Sequence, residues 1–234
     1  MNATLFDGYR VHFNKQGPFE HFVGGELKGK GSACPNCSRP LVIYLSLDLK
    51  DERIKFPDGH LRRLPLVYCV DCELCCFDFV YRVDADDSLK VLAALRTKDV
   101  QDIGITSLIR KKHIKMDLSA TPPELERLAA KLNARGDLTK EQVKLFGEFI
   151  NNFAPPEVGG YPKVDCYNQI GGRAFLMQRL EDPMCEHCPK SRMRFLASLY
   201  NEKSSGVKIV PEEMQIVYFA CPKCAAILVQ HSAS

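Results

Sequence analysis

Cysteines carry the clearest chemical signal in this chain. Eleven of its 234 residues are cysteine. Random placement would give about half of one pair at i, i+3 spacing, whereas the sequence has five, at 34/37, 69/72, 72/75, 185/188 and 221/224. In a reducing compartment, cysteines at this spacing are typical of metal-binding turns rather than of disulfides.

The pairs combine into two equivalent sets of four. There are 31 residues between Cys37 and Cys69, and 32 between Cys188 and Cys221. A tight turn lets two thiolates converge on one metal ion, and tetrahedral Zn²⁺ needs two such turns. The proline in CPNC and in CPKC suits a turn. We therefore predict two structural zinc sites with these ligands: Cys34, Cys37, Cys69 and Cys72 in the first, and Cys185, Cys188, Cys221 and Cys224 in the second.

Some alternatives remain open at these sites. Cys75 or Cys76 could replace a ligand of the first set, and His187, inside CEHC, could replace one of the second. Four thiolates also suit iron, so spacing alone does not separate the two metals. Cys166, like Cys75 and Cys76, has no counterpart in the other half of the chain, and we predict that these three are ordinary thiols.

The sequence offers no catalytic set beside the cysteines. A site closed by four thiolates has no open position for water or substrate. The chain contains no G-x-S-x-G, no G-x-x-x-x-G-K-[ST] and no G-x-G-x-x-G. Its histidines show no metal-ligand spacing. We predict that the protein is not an enzyme.

The elements around the cysteines repeat as well. A shift of 152 residues lays IYLSL (43–47) over FLASL (195–199) and PLVYC (65–69) over VYFAC (217–221). FVGG precedes the first set and QIGG precedes the second. Each unit is predicted to contain a Gly-Gly turn, a cysteine turn, a strand, a loop, a second strand, a second cysteine turn and a further strand. The chain is therefore an internal duplication.

Helices are predicted between the two units. Thr121 with Glu124, and Thr139 with Gln142, form two capping-box patterns. One apolar face follows the first box, formed by Leu125, Leu128, Ala129 and Leu132, and Gly136 suits the end of that helix.

Together these patterns predict an α+β protein. Two β-rich lobes related by duplication, each pinned by a structural zinc site, would be joined by a helical connector. The predicted boundaries are 1–97 for the first lobe, 98–156 for the connector and 157–234 for the second lobe. We expect each lobe to fold around its own metal.

Charge and hydropathy limit the partners. The chain has 32 basic and 29 acidic residues, a net charge of +3, and one basic cluster, LIRKKHIK at 108–115. This small surplus favours a protein partner over nucleic acid, and a zinc-ribbon-like nucleic-acid binder is the alternative. The N-terminus lacks a signal-peptide pattern and no long apolar window occurs, which predicts a cytoplasmic protein without a membrane anchor.

The order of these motifs resembles two related families. IGG, QRLEDPMCEHC, MRFLASL and IVYFACPKC are similar to the YwqG-like family and to the programmed cell death protein 2 family. FVGG, CPNCSRPLVIYLSL and LPLVYCVDC resemble the N-terminal part of the latter. The resemblance covers residues 22–83 and 158–230.

The resemblance implies a β-rich, duplicated protein without known enzymatic chemistry. It implies a binding role, either that of a chaperone for a small-subunit ribosomal protein or that of an immunity protein in a toxin cluster. Ser46 and Ser198 stand where the family usually has a strand glutamine, and no MYND-type finger is present. These departures favour a bacterial-type binding module over a ribosomal escort.

Overall fold

The computed structural model describes most of the chain. The described residues are 5–69, 71–72, 78–86, 88–94, 114–133, 139–149, 168–174, 182–201 and 214–233. The strands are β1 (Tyr9–Phe13), β2 (Phe22–Val23), β3 (Val42–Asp48), β4 (Arg63–Tyr68), β5 (Phe79–Val83), β6 (Leu89–Ala94), β7 (Ile114–Ala120), β8 (Gln169–Ile170), β9 (Arg194–Leu199), β10 (Met214–Ala220) and β11 (Ile227–Ala233). The helices are α1 (Pro123–Asn133) and α2 (Lys140–Phe149).

All eleven strands belong to one antiparallel sheet. Their order is β4-β3-β2-β7-β1-β8-β9-β10-β11-β5-β6. The predicted α+β architecture, with two lobes joined by a helical connector, is therefore wrong. The protein is mostly β, and its two halves share a sheet. The predicted domain boundaries, after residues 97 and 156, lie outside the described residues.

The two halves are interlocked by strands that cross between them. β1, at the N-terminal end, pairs with β8 of the second half through Tyr9 and Ile170. β5, which follows the first cysteine set, pairs with β11 through Tyr81 and Ile227. An unpaired strand edge exposes a row of backbone donors and acceptors. Here each half covers an edge of the other, which is why the halves are not separate lobes.

The duplication is visible inside this single sheet. The β3–β4 and β9–β10 pairs are both antiparallel, and each contains a register shift typical of a β-bulge. IYLSL lies in β3 and FLASL in β9, and β4 and β10 run into the second cysteine turns, so the predicted strands are confirmed. The two Gly-Gly turns also match, since all four glycines have positive φ, between 62° and 101°.

The sheet curls so that its two ends meet. Tyr81 of β5 is fully buried, and its hydroxyl donates to the Pro65 carbonyl oxygen (3.2 Å) and accepts from the Val67 N–H (3.2 Å). Both backbone groups lie on β4, the end strand at the opposite side of the sheet. Pro65 suits an end strand because proline has no N–H to donate to a neighbour. The Tyr81 hydroxyl thus satisfies part of an edge that has no strand partner among the described residues.

The larger apolar core runs through both halves, and a smaller apolar cluster lies around Cys185 and Cys221. Buried side chains of the first half, such as Tyr44 and Leu47, belong to the same cluster as Leu199 and Tyr218 of the second. Burial of apolar surface stabilises a fold by about 25 cal/mol per Å². Because that surface is shared, the stability of each half depends on the other.

The helices match the sequence prediction in part. Leu125, Leu128 and Ala129 of α1 are buried, as predicted. The second capping box is confirmed, because the Gln142 N–H donates to Thr139 Oγ1 (3.3 Å) and the Thr139 N–H donates to Gln142 Oε1 (3.0 Å). The first box is not formed, because the Thr121 N–H donates to the Gly8 carbonyl oxygen (2.8 Å) and Thr121 Oγ1 has no hydrogen-bond partner among the described residues. Gly136 lies outside the described residues. Of the helices that the structure describes, none is both long and apolar enough to cross a bilayer.

A buried ionic cluster holds the turn after β3. His21 Nδ1 accepts the Asp48 N–H at 3.0 Å, so the proton of the neutral ring lies on Nε2, which is 2.9 Å from Asp51 Oδ2. Arg53 donates to both carboxylate oxygens of Asp51 and to the Leu118 carbonyl oxygen of β7 (2.9 Å). The cluster therefore ties the turn to the middle of the sheet.

Acidification is expected to weaken this cluster. Burial lowers the pKa of His21, and the Asp51 carboxylate opposes that shift only in part; Arg53 and Asp48 are the other charges near the ring. The unfolded chain therefore takes up this proton at a higher pH than the folded chain does. The contribution of neutral His21 is complete above about pH 6.5 and is lost as the pH falls toward its folded-state pKa.

Urea unfolding between about pH 8 and pH 5.5 would measure this effect. His21→Gln keeps one acceptor and one donor in place of the ring, and we expect a flatter pH profile of the unfolding free energy. His60→Gln is the matched control, because His60 is exposed, and we expect it to keep the wild-type slope. If His21→Gln kept the wild-type slope, the assignment to His21 would be wrong.

Candidate metal centres

The first cysteine set forms a compact group of four sulfurs. The Sγ atoms of Cys34, Cys37, Cys69 and Cys72 all lie within 4.8 Å of one another. Cys34 Sγ is 3.6 Å from Cys72 Sγ, and Cys37 Sγ is 3.5 Å from Cys69 Sγ. A disulfide would need about 2.05 Å. Metal–sulfur bonds of about 2.3 Å in a tetrahedron place the sulfurs about 3.8 Å apart, so these separations fit a metal site.

The second set forms an equivalent group. The sulfurs of Cys185, Cys188, Cys221 and Cys224 also lie within 4.8 Å of one another, and the Cys185 and Cys224 sulfurs are 3.7 Å apart. Two of these residues, Cys188 and Cys224, are half-buried, whereas only Cys37 is half-buried in the first group. The second group is therefore more open to solvent.

Local backbone geometry explains how each turn aims its sulfurs. The Cys34 N–H donates to the Arg39 carbonyl oxygen (2.8 Å), and the Ser38 N–H donates to the Cys34 carbonyl oxygen (2.9 Å). Cys221 and Ala225 repeat this pattern, with an Ala225 N–H bond of 3.0 Å to the Cys221 carbonyl oxygen. Ser38 (φ 63°) and Ala225 (φ 57°) both take the left-handed conformation that closes such a turn.

The four turns belong to loops that the strands hold in place. β3 follows the Cys34 turn and β4 ends just before Cys69; β9 and β10 frame the second group in the same way. Because β3 pairs with β4 and β9 with β10, the ends of paired strands bring the two turns of each group together. The Arg39–Asp71 ion pair (3.2 Å) adds a further link between the turns of the first group.

All eight cysteines that the spacing selected are brought into the two predicted groups of four. His187 is exposed, and the second group consists of cysteines alone. Cys75, Cys76 and Cys166 lie outside the described residues.

Sequence reasoning missed two residues next to the sulfurs. The Asn36 N–H donates to Cys34 Sγ (3.4 Å) and its Nδ2–H donates to Cys72 Sγ (3.3 Å). In the second group, the Cys221 sulfur lies 3.6 Å from the Ser191 hydroxyl oxygen. The sequence did contain a signal for these two residues. Asn36 lies between two paired cysteines and Ser191 lies three residues after such a pair, so both are polar residues close to the partner turn.

The thiols of the first group cannot all ionise easily on their own. Contacts with Cys69 and Cys72 lower the pKa of Cys34 to about 2. The contact with Cys34 in turn raises the pKa of Cys69 and raises that of Cys72 to about 12. The first thiolate therefore forms readily, and its charge opposes the next. A bound cation removes this opposition, which couples metal binding to proton release.

The second group shows the same imbalance. Burial would raise the pKa of Cys221, but the backbone N–H groups of Lys223 and Cys224 lower it to about 6. Burial raises the pKa of Cys185 and of Cys224. Each group thus contains one cysteine whose pKa is lowered and others whose pKa is raised.

Comparison of the chain with protein-family models, with curated proteins and with solved structures finds no match.

Removing the Asn36 side chain should weaken metal binding at the first group. Residues that hydrogen-bond to metal ligands typically change metal affinity by about 10–100-fold when they are removed. For Asn36→Ala we expect a loss at the low end of that range, because its N–H bond to Cys34 remains. The measurement is transfer of zinc to a competing chromogenic chelator.

His187→Ala is the matched control, because His187 holds the corresponding position in CEHC but is exposed. Equal zinc transfer from the Asn36 and His187 variants would contradict a role for Asn36.

Proposed function

We propose that this protein is a zinc-stabilised protein-binding module without catalytic activity, of the chaperone or immunity type. One observation carries the proposal: each centre is a closed set of four mostly buried sulfurs. A tetrahedral ion with four protein ligands has no position left for water or substrate, so its role is structural. The metal would hold the turns that connect paired strands and would leave the surface free for binding.

Zinc is the proposed metal because four thiolates on short turns are the usual structural zinc set. Thiolate ligands must stay reduced, which favours a cytoplasmic setting. A protein partner is supported by the small net charge of +3. It is also supported by the resemblance of the repeated motifs to the YwqG-like and programmed cell death protein 2 families.

Nucleic-acid binding is the second candidate. The observation that favours it is a group of exposed cations beside the second cysteine group, at Lys190, Arg192 and Lys223. Of the basic cluster at 108–115, only Ile114 and Lys115 are described, and Lys115 Nζ donates to Gln16 Oε1 (3.1 Å).

Native mass spectrometry of the tagged full chain, purified at endogenous expression, tests the proposal. In the mass spectrum we expect two zinc ions per chain and a co-purifying protein. A visible absorption spectrum of the same sample should show no bands from iron. A folded, metal-free monomer would refute the zinc centres. Repeated recovery without any protein partner, or with bound nucleic acid instead, would refute the protein-binding role.

A further inference from the structure

We infer that the turns of the second cysteine group form a docking surface for an acidic protein segment that carries an apolar side chain. The inference rests on the proposed function, because it names the surface and the partner class of the binding module. We call this the second-centre surface; it consists of Met184, Lys190, Arg192 and Lys223, all of which are exposed.

These four residues surround one centre. The sulfurs of the second group lie within 4.8 Å of one another, so the turn at 184–192 and the turn at 221–224 are in contact. Met184 and Arg192 are partners in an antiparallel β-bridge. The hydroxyl of Ser191, between Lys190 and Arg192 in the chain, is 3.6 Å from the Cys221 sulfur. An approaching chain could therefore contact all four side chains together.

The two cysteine groups differ in the charge of their turns. The first group has one cation in its turns, Arg39, and Asp71 pairs with it at 3.2 Å. The turns of the second group carry three cations and one carboxylate, Glu186. Among the residues that the structure describes, Lys190 and Lys223 have no ion-pair partner. Arg192 donates to the backbone oxygen of Asp182 (3.2 Å), whose carboxylate pairs with Arg194 at 3.4 Å and also attracts Arg192.

These cations are not required to balance the thiolates. Four thiolates around a divalent ion carry a net negative charge at either centre. The first centre has the same four thiolates but no net positive charge in its turns, where Asn36 donates hydrogen bonds to the sulfurs instead. At the second centre the three cations are exposed, whereas Cys185 and Cys221 are buried, so an acidic segment that approaches from solvent meets the cations first. Charges at the rim of an interface steer complementary partners.

An apolar contact is present at the same place. Met184 is 50% exposed and is the exposed large apolar side chain of the described residues. Its counterpart before the first cysteine turn is the much smaller Ala33. Methionine is flexible and polarizable, and methionine and arginine are enriched at protein interfaces. The second centre thus combines an apolar contact with a positive rim, and the first centre has neither.

The occupant is a protein segment rather than a nucleic acid. Binding to nucleic acid depends on many phosphate contacts and, for single strands, on exposed aromatic rings that stack on bases. The second-centre surface has three cations, and the exposed imidazole of His187 is the one ring in its two turns that could stack on a base. Glutamates or aspartates beside a leucine or phenylalanine match both its charge and its apolar contact.

Fluorescence anisotropy with the zinc-loaded full chain tests this inference. The probe is a labelled synthetic peptide in which glutamates flank a Leu-Phe pair, and a second peptide has Ser-Ser in place of Leu-Phe. We expect K190E/R192E/K223E to weaken binding of the Leu-Phe peptide by about tenfold or more, because attraction becomes repulsion. Met184→Ser should weaken binding of the Leu-Phe peptide and leave that of the Ser-Ser peptide unchanged.

The matched control is K28E/K50E/K55E, which makes the same charge change at exposed lysines elsewhere. We expect it to change peptide affinity by less than about twofold. Native mass spectrometry of each variant verifies that both metal ions remain bound.

Several outcomes would overturn the inference. They are no saturable peptide binding, equal effects of the two triple variants, or tighter binding of a single-stranded RNA oligonucleotide that K190E/R192E/K223E abolishes. If the protein partner from the affinity purification still binds K190E/R192E/K223E as it binds the wild type, the docking surface is wrong while the proposed function stands.

Discussion

Replacing Cys69 by serine is expected to unfold the whole protein rather than one half of it. Cys69 is fully buried, and its sulfur is 3.5 Å from that of Cys37. Zinc binding to such sites contributes on the order of 10–16 kcal/mol to folding. That is as large as the whole stability of a typical domain, about 5–15 kcal/mol. Because both halves share one sheet and the larger apolar core, to which Cys69 belongs, the loss cannot stay local.

The measurement is denaturant unfolding followed by circular dichroism, together with the zinc content of the purified variant. We expect Cys69→Ser to lack a cooperative transition, and a strong zinc chelator to produce the same result with the wild type. Cys166→Ser is the control, because Cys166 has no counterpart in the repeat. Equal and mild effects of the two substitutions would contradict the metal assignment.

The second half, residues 157–234, is expected not to fold alone even when zinc is supplied. In the full chain, β8 pairs with β1 and β11 pairs with β5, and both partners come from the first half. The isolated fragment would leave these edges unpaired and would expose apolar side chains such as Tyr218, which is fully buried in the shared core. Exposed edges and apolar surface favour aggregation.

Amide NMR spectra of residues 157–234, alone and after mixing with residues 1–156, would measure this dependence. We expect poor dispersion for the fragment alone, and dispersion like that of the full chain once both fragments are present. A well-dispersed, zinc-bound spectrum of the isolated fragment would show that the crossing strands are dispensable.

Ion pairs elsewhere contribute much less to the free energy of unfolding than the metal sites and the crossing strands do. Arg127–Glu124 on α1 is exposed, and an exposed pair of this kind contributes about 0–1 kcal/mol. The Asp51–Arg53 pair matters more, because Asp51 is buried and removing the half-buried Arg53 would leave its charge uncompensated.

The local features of this protein depend on short stretches of its sequence. The CPNC and CPKC turns, the spacing of the cysteine pairs, the strands containing IYLSL and FLASL, and the capping box at Thr139 all depend on residues close together in the chain. Turn conformation, side-chain alternation and hydrogen bonds within one helix turn determine them. The repeated spacing of the cysteine pairs predicted the two groups of four, and it is the pairing of β3 with β4 and of β9 with β10 that brings their sulfurs together.

The arrangement of the two halves depended on pairing between strands that are far apart in the chain, which no local sequence pattern predicts. A strand sequence indicates which of its faces is buried, but not which strand will cover its edge. β5 could have extended the first half beside β4, as β11 extends the second half beside β10. Instead β5 pairs with β11, and it meets β4 through side chains: the Tyr81 hydroxyl accepts the Val67 N–H, and the Phe79 ring stacks on Tyr68. The sequence by itself determined the two cysteine groups, and the pairing of distant strand edges in the tertiary structure decided that they belong to one sheet.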